Sequence, residues 1–508
     1  MLKNKIKLAY FALIVSFINL ALYHFPLFEF TADNLDYKSL DGLFTLISVA
    51  ILLLILNALI FYMGLFTSHF AGKLLLIVFF NINAIALYFI NTYGVIIDKT
   101  MIGNILNTNV EESSSFLSFG LLLYLISLGV VPSILIFKIN VSKVKFKSFL
   151  SHIVLAFIFV LTFIYINSSS WLWIDKHSKA LGGMVMPWSY IVNTSRFYIH
   201  KNEESKQQIL LPNMTLLDSK KSIVVLVIGE SARSENFSLY GYEKNTNPLL
   251  SNMDNIYSYK ANSCATYTTA GVKCILDHKE TGDLYEILPN YLSRNGVDVF
   301  WRTTNWGEPK VTIDHYLKRP DLEELCQGDG CAYDEVLISG LKAQLLASRK
   351  EKILLVLHTS TSHGPTYFKK YPRHFNEFTP VCKSVELGKC TQEELINAYD
   401  NTILYTDYIL ASLIEQLKEL DGYSSSMFYV SDHGESLGEN NLYMHGIPAS
   451  IAPKEQLEIP FIVWLSDNTK ELRENKLLSQ HHVFHSVLDF LALDSPIYDE
   501  DMSIFKQQ

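Results

Sequence analysis

The sequence predicts two architectures in one chain: an α-helical membrane domain of five spans, then an α/β domain whose mostly parallel sheet is covered by helices on both faces. Three observations predict it. Apolar stretches of bilayer length crowd the first third of the 508 residues, charged residues crowd the rest, and short aliphatic runs alternate with helical patterns from Lys221 onward. The expected boundaries are 1–167 for the spans, 168–217 for interfacial bridging helices and a linker, and 218–508 for the outer domain.

Apolar residues make up 49% of the chain and the mean hydropathy is +0.17, which is high for a wholly soluble protein. The spans fall at Leu8 to Leu27, Gly42 to Phe66, Leu74 to Ile97, Phe116 to Phe137 and Phe149 to Ile166, each near the ~20 residues a bilayer core requires. Their interiors carry no Asp, Glu, Lys or Arg, so they read as an anchor or lipid-facing scaffold and not as a transport path. The first lacks a small-residue cleavage site, which argues against a removed signal peptide. Lys3, Lys5 and Lys7, then Lys73, then Lys138, Lys143, Lys145 and Lys147 mark the cytoplasmic segments. The acid-rich loops Glu29 to Asp41 and Asp98 to Glu112 fall outside, as does everything after Ile166. A net charge of -9 argues against nucleic acid.

All six cysteines lie in the outer part in short-range couples: Cys264 with Cys274, Cys326 with Cys331, Cys382 with Cys390. Sequence leaves the connectivity open, but neighbours close the cheapest loops and disulfides fit an oxidising compartment. No couple has the two-residue gap or adjacent His of a zinc knuckle. Between Asn167 and Asp218, Trp171, Trp173, Trp188 and Tyr190 suit the headgroup layer, so this segment is expected along the outer membrane face. Lys201 to Gln208 reads as a solvated linker.

In the outer domain, Ser222 to Gly229, Val297 to Trp301, Ile353 to His358, Met427 to Ser431 and Ile459 to Leu465 read as strands, and Glu393 to Leu420 as a helix. Ligands of such sheets sit at the carboxyl ends of the strands. Glu230 follows the first strand, although Gly-Glu-Ser also reads as a turn in which Ser231 caps a helix starting near Ala232. His358-Thr-Ser-Thr-Ser-His-Gly-Pro365 follows another. Ser431-Asp-His-Gly-Glu435 follows a third, with His445-Gly446 a short loop later. Cys264-Ala-Thr-Tyr-Thr-Thr269 offers hydroxyls at Thr266, Thr268 and Thr269, and spacing does not choose among them. Glu, Asp and His form a ligand set for Zn²⁺, which would lower the pKa of a neighbouring hydroxyl. Taken singly, His363 and His445 also read as residues satisfying loop hydrogen bonds.

Gly229-Glu-Ser-Ala-Arg233, Leu239-Tyr-Gly-Tyr242, Cys264-Ala-Thr-Tyr-Thr268, Ser362-His-Gly-Pro365, Ser431-Asp-His-Gly-Glu-Ser436 and His445-Gly446 resemble the membrane phosphoethanolamine transferases that modify lipid A and other envelope sugars. The mobile colistin-resistance enzymes belong to that group. The resemblance covers nearly the whole chain. It implies an alkaline-phosphatase/sulfatase-like outer domain, a multi-pass place in the bacterial inner membrane with the catalytic domain in the periplasm, and a monomer. It also implies that Glu230, Thr268, Asp432 and His433 bind the catalytic zinc and that Thr268 is the nucleophile. His363 and His445 would hold the phosphoryl group or a second zinc, and one would protonate the leaving alkoxide. Asn104, Thr108 and Glu112 recur every four residues, one helix face, and would contact the ethanolamine headgroup. Asn305 and Lys310 would be further substrate contacts. The chain departs from the group at Ala265, where Gly is common, and at Lys273, where Pro is usual.

The implied reaction has two steps. Phosphatidylethanolamine gives its phosphoethanolamine to Thr268, and an acceptor then takes it from the threonine: lipid A, another envelope glycan or a protein. The added amine would make the surface less anionic and weaken binding of cationic peptides such as polymyxin. The rivals are a sulfatase-like glycerophosphate or glycan-phosphate transferase, which the six cysteines disfavour, and a non-catalytic lipid-binding membrane sensor.

Overall fold

The first apolar stretch is broken where the sequence reads as one span. Helix α1 (Leu8–Tyr23) ends at His24 and α2 (Phe25–Asp33) leaves it at 61°. Pro26 sits in the first turn of α2, where its missing N–H is no loss, but it cannot continue α1. The computed structural model describes residues 5–506 except 36–37, 108–109, 167–172, 175–176, 205–207, 468 and 474–476. It divides into two compact units, Met1–Lys201 and Asn202–Gln508.

The first unit continues through α3 (Leu40–Thr67), α4 (His69–Tyr93), α5 (Lys99–Asn107), α6 (Val110–Ser115), α7 (Phe119–Lys138, π-helical over Leu125–Val130) and α8 (Phe146–Ile166). Among the described residues, α3, α4, α7 and α8 are long and apolar enough to cross a membrane, and the bent α1–α2 pair counted as one span makes five. The third span lies about one turn earlier than expected from hydropathy. Ser68 caps α4 through the Ala71 N–H, and Gly94, at φ +71°, ends it. Lys73 was expected in a cytoplasmic loop. It lies instead in α4, and its ammonium donates to the carbonyls of Phe137 and Ile139, groups left without helical partners at the end of α7.

Two short helices complete this unit, α9 (Ser178–Met184) and α10 (Trp188–Glu204). The headgroup expectation fails for part of the segment. Trp188 donates to Asn57 Oδ1 (2.6 Å) and Tyr190 to Asn83 Oδ1 (3.0 Å), both mid-span residues of α3 and α4. Asn83 donates in turn to Asn19 (2.8 Å) of α1. Amide side chains in an apolar bundle require such partners, and these supply them for the Asn57 and Asn83 oxygens and for Asn83 Nδ2, while Asn57 Nδ2 is buried without one among the described residues. Trp171 lies outside the described residues, while Trp173 donates to Asn34 O (3.0 Å). Helix α10 also runs through Glu204, where a linker was expected.

The second unit is built on an eight-stranded sheet: β1 (Ser222–Gly229), β2 (Ile256–Asn262), β3 (Asp298–Thr303), β4 (His315–Lys318), β5 (Lys352–His358), β6 (Ser424–Ser431), β7 (Glu458–Leu465) and β8 (Leu478–Ser479). The order is β8-β2-β7-β6-β1-β5-β3-β4. Every pairing is parallel except those of β7, which runs antiparallel to both β2 and β6. Hydropathy marked β7 as a strand but carries no sign of its direction. It missed β2, whose polar Tyr257-Ser-Tyr-Lys260 stretch lacks the aliphatic signature of a buried strand.

All eight residues of β1 are buried, as expected of a central parallel strand covered on both faces. Val224, Leu226 and Ile228 pack with Val272 of α11 (Thr268–Leu276), Tyr291 of α12 (Leu288–Arg294) and Phe484 of α14 (His482–Phe490). Another helix, α13 (Gln392–Lys418), packs on β6 and opens with a capping box in which Thr391 and Glu394 satisfy each other's backbone N–H. The three disulfides join Cys264 to Cys274, Cys326 to Cys331 and Cys382 to Cys390.

Gly271 of α11 lies directly against the end of β6, and a Cβ there would overlap the carbonyl oxygen of Asp432. We expect Gly271→Ala to destabilise the outer domain by about 1–3 kcal/mol, read as a lowered melting temperature.

Candidate active site

The central strands β1 and β6 end side by side, and their ends are stitched together. Asp432 N–H donates to Gly229 O (2.9 Å), Ser231 N–H to Asp432 Oδ1 (3.0 Å) and Ala232 N–H to Ser431 Oγ (2.9 Å). Ser231 adopts a left-handed conformation (φ 51°), and its hydroxyl donates to Glu230 Oε1 (2.6 Å). It therefore caps no helix at Ala232. The next element is a single 3-10 turn at Ser234–Asn236. Gly229 leaves room for the Tyr429 hydroxyl, which a Cβ would strike.

Helix α11 presents Thr268 at its first turn, and the Cys264–Cys274 disulfide fastens the approach to that turn onto the helix behind it. Thr268 Oγ1 lies 3.5 Å from Glu230 Oε2 and 3.5 Å from His433 Nε2. His433 Nε2 is in turn 3.6 Å from Glu230 Oε1 and 3.4 Å from Asp432 Oδ2. Thr266 is otherwise engaged, donating to Ile447 O (2.5 Å). Thr266 is thus turned away from the Glu230 and His433 side chains that Thr268 faces.

Glu230, Asp432 and His433 are all essentially inaccessible to solvent. Burial pushes the Glu230 carboxyl up, but the imidazoles of His363, His433 and His445 outweigh it and hold the group below the usual carboxylate range. Burial, then the Glu230 charge, push Asp432 well up. Burial likewise takes Glu435 up to about 8 and His445 down to about 3. Two carboxylates compete here for limited positive charge.

A cation fits this arrangement. Asp432 Oδ2 is buried without a hydrogen-bond partner, and His433 Nδ1 faces Gly434 O (2.8 Å), which leaves Nε2 free to ligate. Ligands held at 2.0–2.2 Å in a tetrahedron stand about 3.3–3.6 Å apart, as His433 Nε2 stands from Asp432 Oδ2, Glu230 Oε1 and Thr268 Oγ1. Glu230, His433 and His445 also offer ligand atoms within 4.8 Å of one another.

His363 and His445 are neighbours, with ring centroids 5.6 Å apart, and the His445 ring is 4.2 Å from that of His433. Asn305 Nδ2 donates to Glu230 Oε2 (2.7 Å) and to Thr359 O (2.8 Å). Lys310 is exposed, and its side chain joins none of these hydrogen bonds; its carbonyl accepts from Asn290. Asn104 lies on α5 and Glu112 on α6, while Thr108 and the Glu112 side chain fall outside the described residues. Lys273, a departure from the expected pattern, pairs with Asp277 one turn on.

Sequence reasoning missed two residues that hold the site in shape. Glu435 accepts from the Tyr367 hydroxyl and engages His445 Nδ1 (2.8 Å), which leaves the other imidazole nitrogen available. Gln480 donates to Ser431 O (3.0 Å) and Asp432 O (2.7 Å) and accepts from Cys264 N–H (3.0 Å). Glu435 was visible in its motif, but nothing near Gln480 in sequence signals its reach.

Comparison with known proteins sets this geometry in a family. A model described as "Sulfatase" matches residues 222–493, and one described as "Phosphoethanolamine transferase EptA/EptB" matches residues 47–202. The chain is 41% identical to the phosphoethanolamine transferase EptA of Helicobacter pylori, covering 98% of this chain and 96% of that protein. The chain belongs to the phosphoethanolamine transferase family. It is also 32% identical to the phosphatidylethanolamine transferase Mcr-1 of Escherichia coli, with 85% of each covered. The integral membrane lipooligosaccharide phosphoethanolamine transferase A of Neisseria meningitidis superposes with a TM-score of 0.87 at 27% identity, covering 99% of both chains.

This phosphoethanolamine transferase is therefore an enzyme of the inner membrane, multi-pass, with an alkaline-phosphatase/sulfatase-like catalytic domain in the periplasm. That sets aside the non-catalytic sensor.

Asn305 grips the Glu230 oxygen nearest Thr268. Asn305→Ala is expected to lower turnover by about 10-fold or more while costing less than about 1.5 kcal/mol of stability, measured by initial rates beside thermal melts.

Proposed function

We propose that the chain moves phosphoethanolamine from phosphatidylethanolamine to lipid A through a phosphothreonine ester on Thr268. The observation that carries this is Thr268 Oγ1 at 3.5 Å from both Glu230 and His433, on the first turn of a disulfide-fastened helix. Zinc is the proposed cofactor, held by Glu230, Asp432 and His433 with Thr268 beside them, and when bound it lowers hydroxyl pKa and offsets charge on phosphoryl oxygens.

The residues of the chain supply the rest. Thr268 Oγ attacks phosphorus, the bond to the diacylglycerol oxygen breaks, and diacylglycerol leaves once that oxygen gains a proton. His363 and His445 line the approach, and Glu435 behind His445 Nδ1 fixes that ring so its far nitrogen can hold or pass the proton. An acceptor phosphate or hydroxyl oxygen then attacks the same phosphorus and releases Thr268. Thr268 is the first residue of α11, so the phosphoester would form at a helix N-terminus, where open N–H groups favour negative charge. An envelope glycolipid acceptor is favoured because the meningococcal relative is named for lipooligosaccharide, and lipid A is the one proposed. Added amine would lower surface negative charge and promote resistance to polymyxin-like peptides. Asn104, Thr108 and Glu112 are retained as proposed ethanolamine contacts, and Lys310 as a proposed substrate contact.

Incubated with phosphatidylethanolamine, the parent protein is expected to gain the intact mass of one phosphoethanolamine, and Thr268→Ala to gain none. An adduct that survives Thr268→Ala would sink the proposal. Glu230→Gln and Asp432→Asn should each weaken zinc at least about 10-fold, read by elemental analysis after dialysis against a chelator. Undiminished zinc in both variants would place the metal elsewhere.

A further inference from the structure

The loop closed by the Cys326–Cys331 disulfide leads into Asp334, a buried carboxylate that belongs to none of the motifs above. Its oxygens accept four hydrogen bonds from two other loops. Oδ1 accepts from Thr304 Oγ1 (2.5 Å) and Ser360 Oγ (3.1 Å); Oδ2 accepts from Ser360 N–H (2.6 Å) and Thr361 Oγ1 (2.6 Å). Arg319 supplies a counter-charge at 3.6 Å.

These donors sit where the sheet stops holding its strands together. β3 and β5 are parallel neighbours with Thr303 opposite His358, and the last backbone bond between them runs from Thr304 N–H to His358 O (3.1 Å). Beyond it the chains diverge into the Thr304–Asn305 turn and the Thr359–His363 loop. Asn305 spans the gap, since one amide group donates both to Thr359 O and to Glu230 Oε2. That double contact survives only while the two loops keep their spacing. His363 hangs on the same loop, its N–H facing Ser360 O (3.4 Å).

We propose that Asp334 is a positioning residue for the transfer reaction: by clamping the turn after β3 to the loop after β5 it holds Asn305 on Glu230 and sets His363 beside His445, without touching substrate. A carboxylate suits the task because bonds to an ionised acceptor are roughly twice as strong as neutral ones. The disulfide shortens the loop that delivers it. The inference rests on the reading of Glu230 and Thr268 given above, and the test separates the two.

The experiment uses the full chain in detergent with phosphatidylethanolamine, comparing the parent, Asp334→Asn and Asp407→Asn. Asp407 is an equally buried carboxylate of the same domain that holds the N–H groups of Leu249 and Leu250 and touches neither loop. We expect Asp334→Asn to lower kcat for Thr268 adduct formation about 10²-fold with KM unchanged within about two-fold. Asp407→Asn should keep the parent's kcat despite a comparable fall in Tm. Parent-like kcat in Asp334→Asn, or an equal kcat loss in both variants, would overturn the proposal. If Asp334→Asn does not fold, Thr304→Val decides: it keeps the carboxylate, removes the hydroxyl that donates to it together with that hydroxyl's longer contact to His358 O (3.4 Å), and must lower kcat with KM held. A parent that forms no adduct overturns the Thr268 reading and this inference with it.

Discussion

The buried meeting of Glu230 and Asp432 at the ends of adjacent strands is the constraint on which the rest of the outer domain depends. Two carboxylates without solvent repel, and their cost grows with burial unless positive charge and fixed dipoles answer them. The chain answers with the His433 imidazole, with the Ser231 hydroxyl and N–H, and with the Asn305 amide, and the His445 and His363 rings stand beside them. Three of these residues are held by a further contact: Glu435 behind His445, Gly434 O behind His433, Thr359 O behind Asn305. The proposed zinc would complete a balance that the protein side has set up in advance.

The same logic of satisfied polar groups, in a different solvent, governs the membrane unit. Asn19, Asn57 and Asn83 lie in apolar helices, where an unpaired amide group is costly; they find one another or the side chains of Trp188 and Tyr190, and Asn57 Nδ2 alone of these groups is left without a partner among the described residues. The amides of these spans therefore act as cross-links between helices. Lys73 plays a similar part at the end of α7, where its charge settles on two open carbonyls.

What the sequence made legible was whatever is local. Aliphatic runs marked five of the eight strands, and the abrupt change from Ile228-Gly229 to Glu230 marked the site because a strand end has one direction of exit. Glu230, Thr268, Asp432 and His433 were readable as a set through resemblance, and the fold brings Thr268, Glu230 and Asp432 each within 3.6 Å of His433 Nε2. Long-range geometry was not legible. Gln480 reaches Cys264 and Asp432 across more than two hundred and nearly fifty residues, and Asp334 gathers its donors from either side in the chain. Trp188 and Tyr190 misled for a related reason: an amphipathic ring suits a headgroup layer and an amide-lined bundle equally well.

The reversed strand β7 carries a consequence for how the enzyme comes into being. β2 runs directly into Cys264 and the threonine turn, yet its long pairing partner is β7, which begins at Glu458. During export, then, the segment bearing the hydroxyl waits unzipped for most of the domain to emerge. A chain cut short before that strand would carry every proposed ligand side chain and still have no seat for the proposed nucleophile, so a prematurely released fragment is expected to be inert toward the membrane lipids around it.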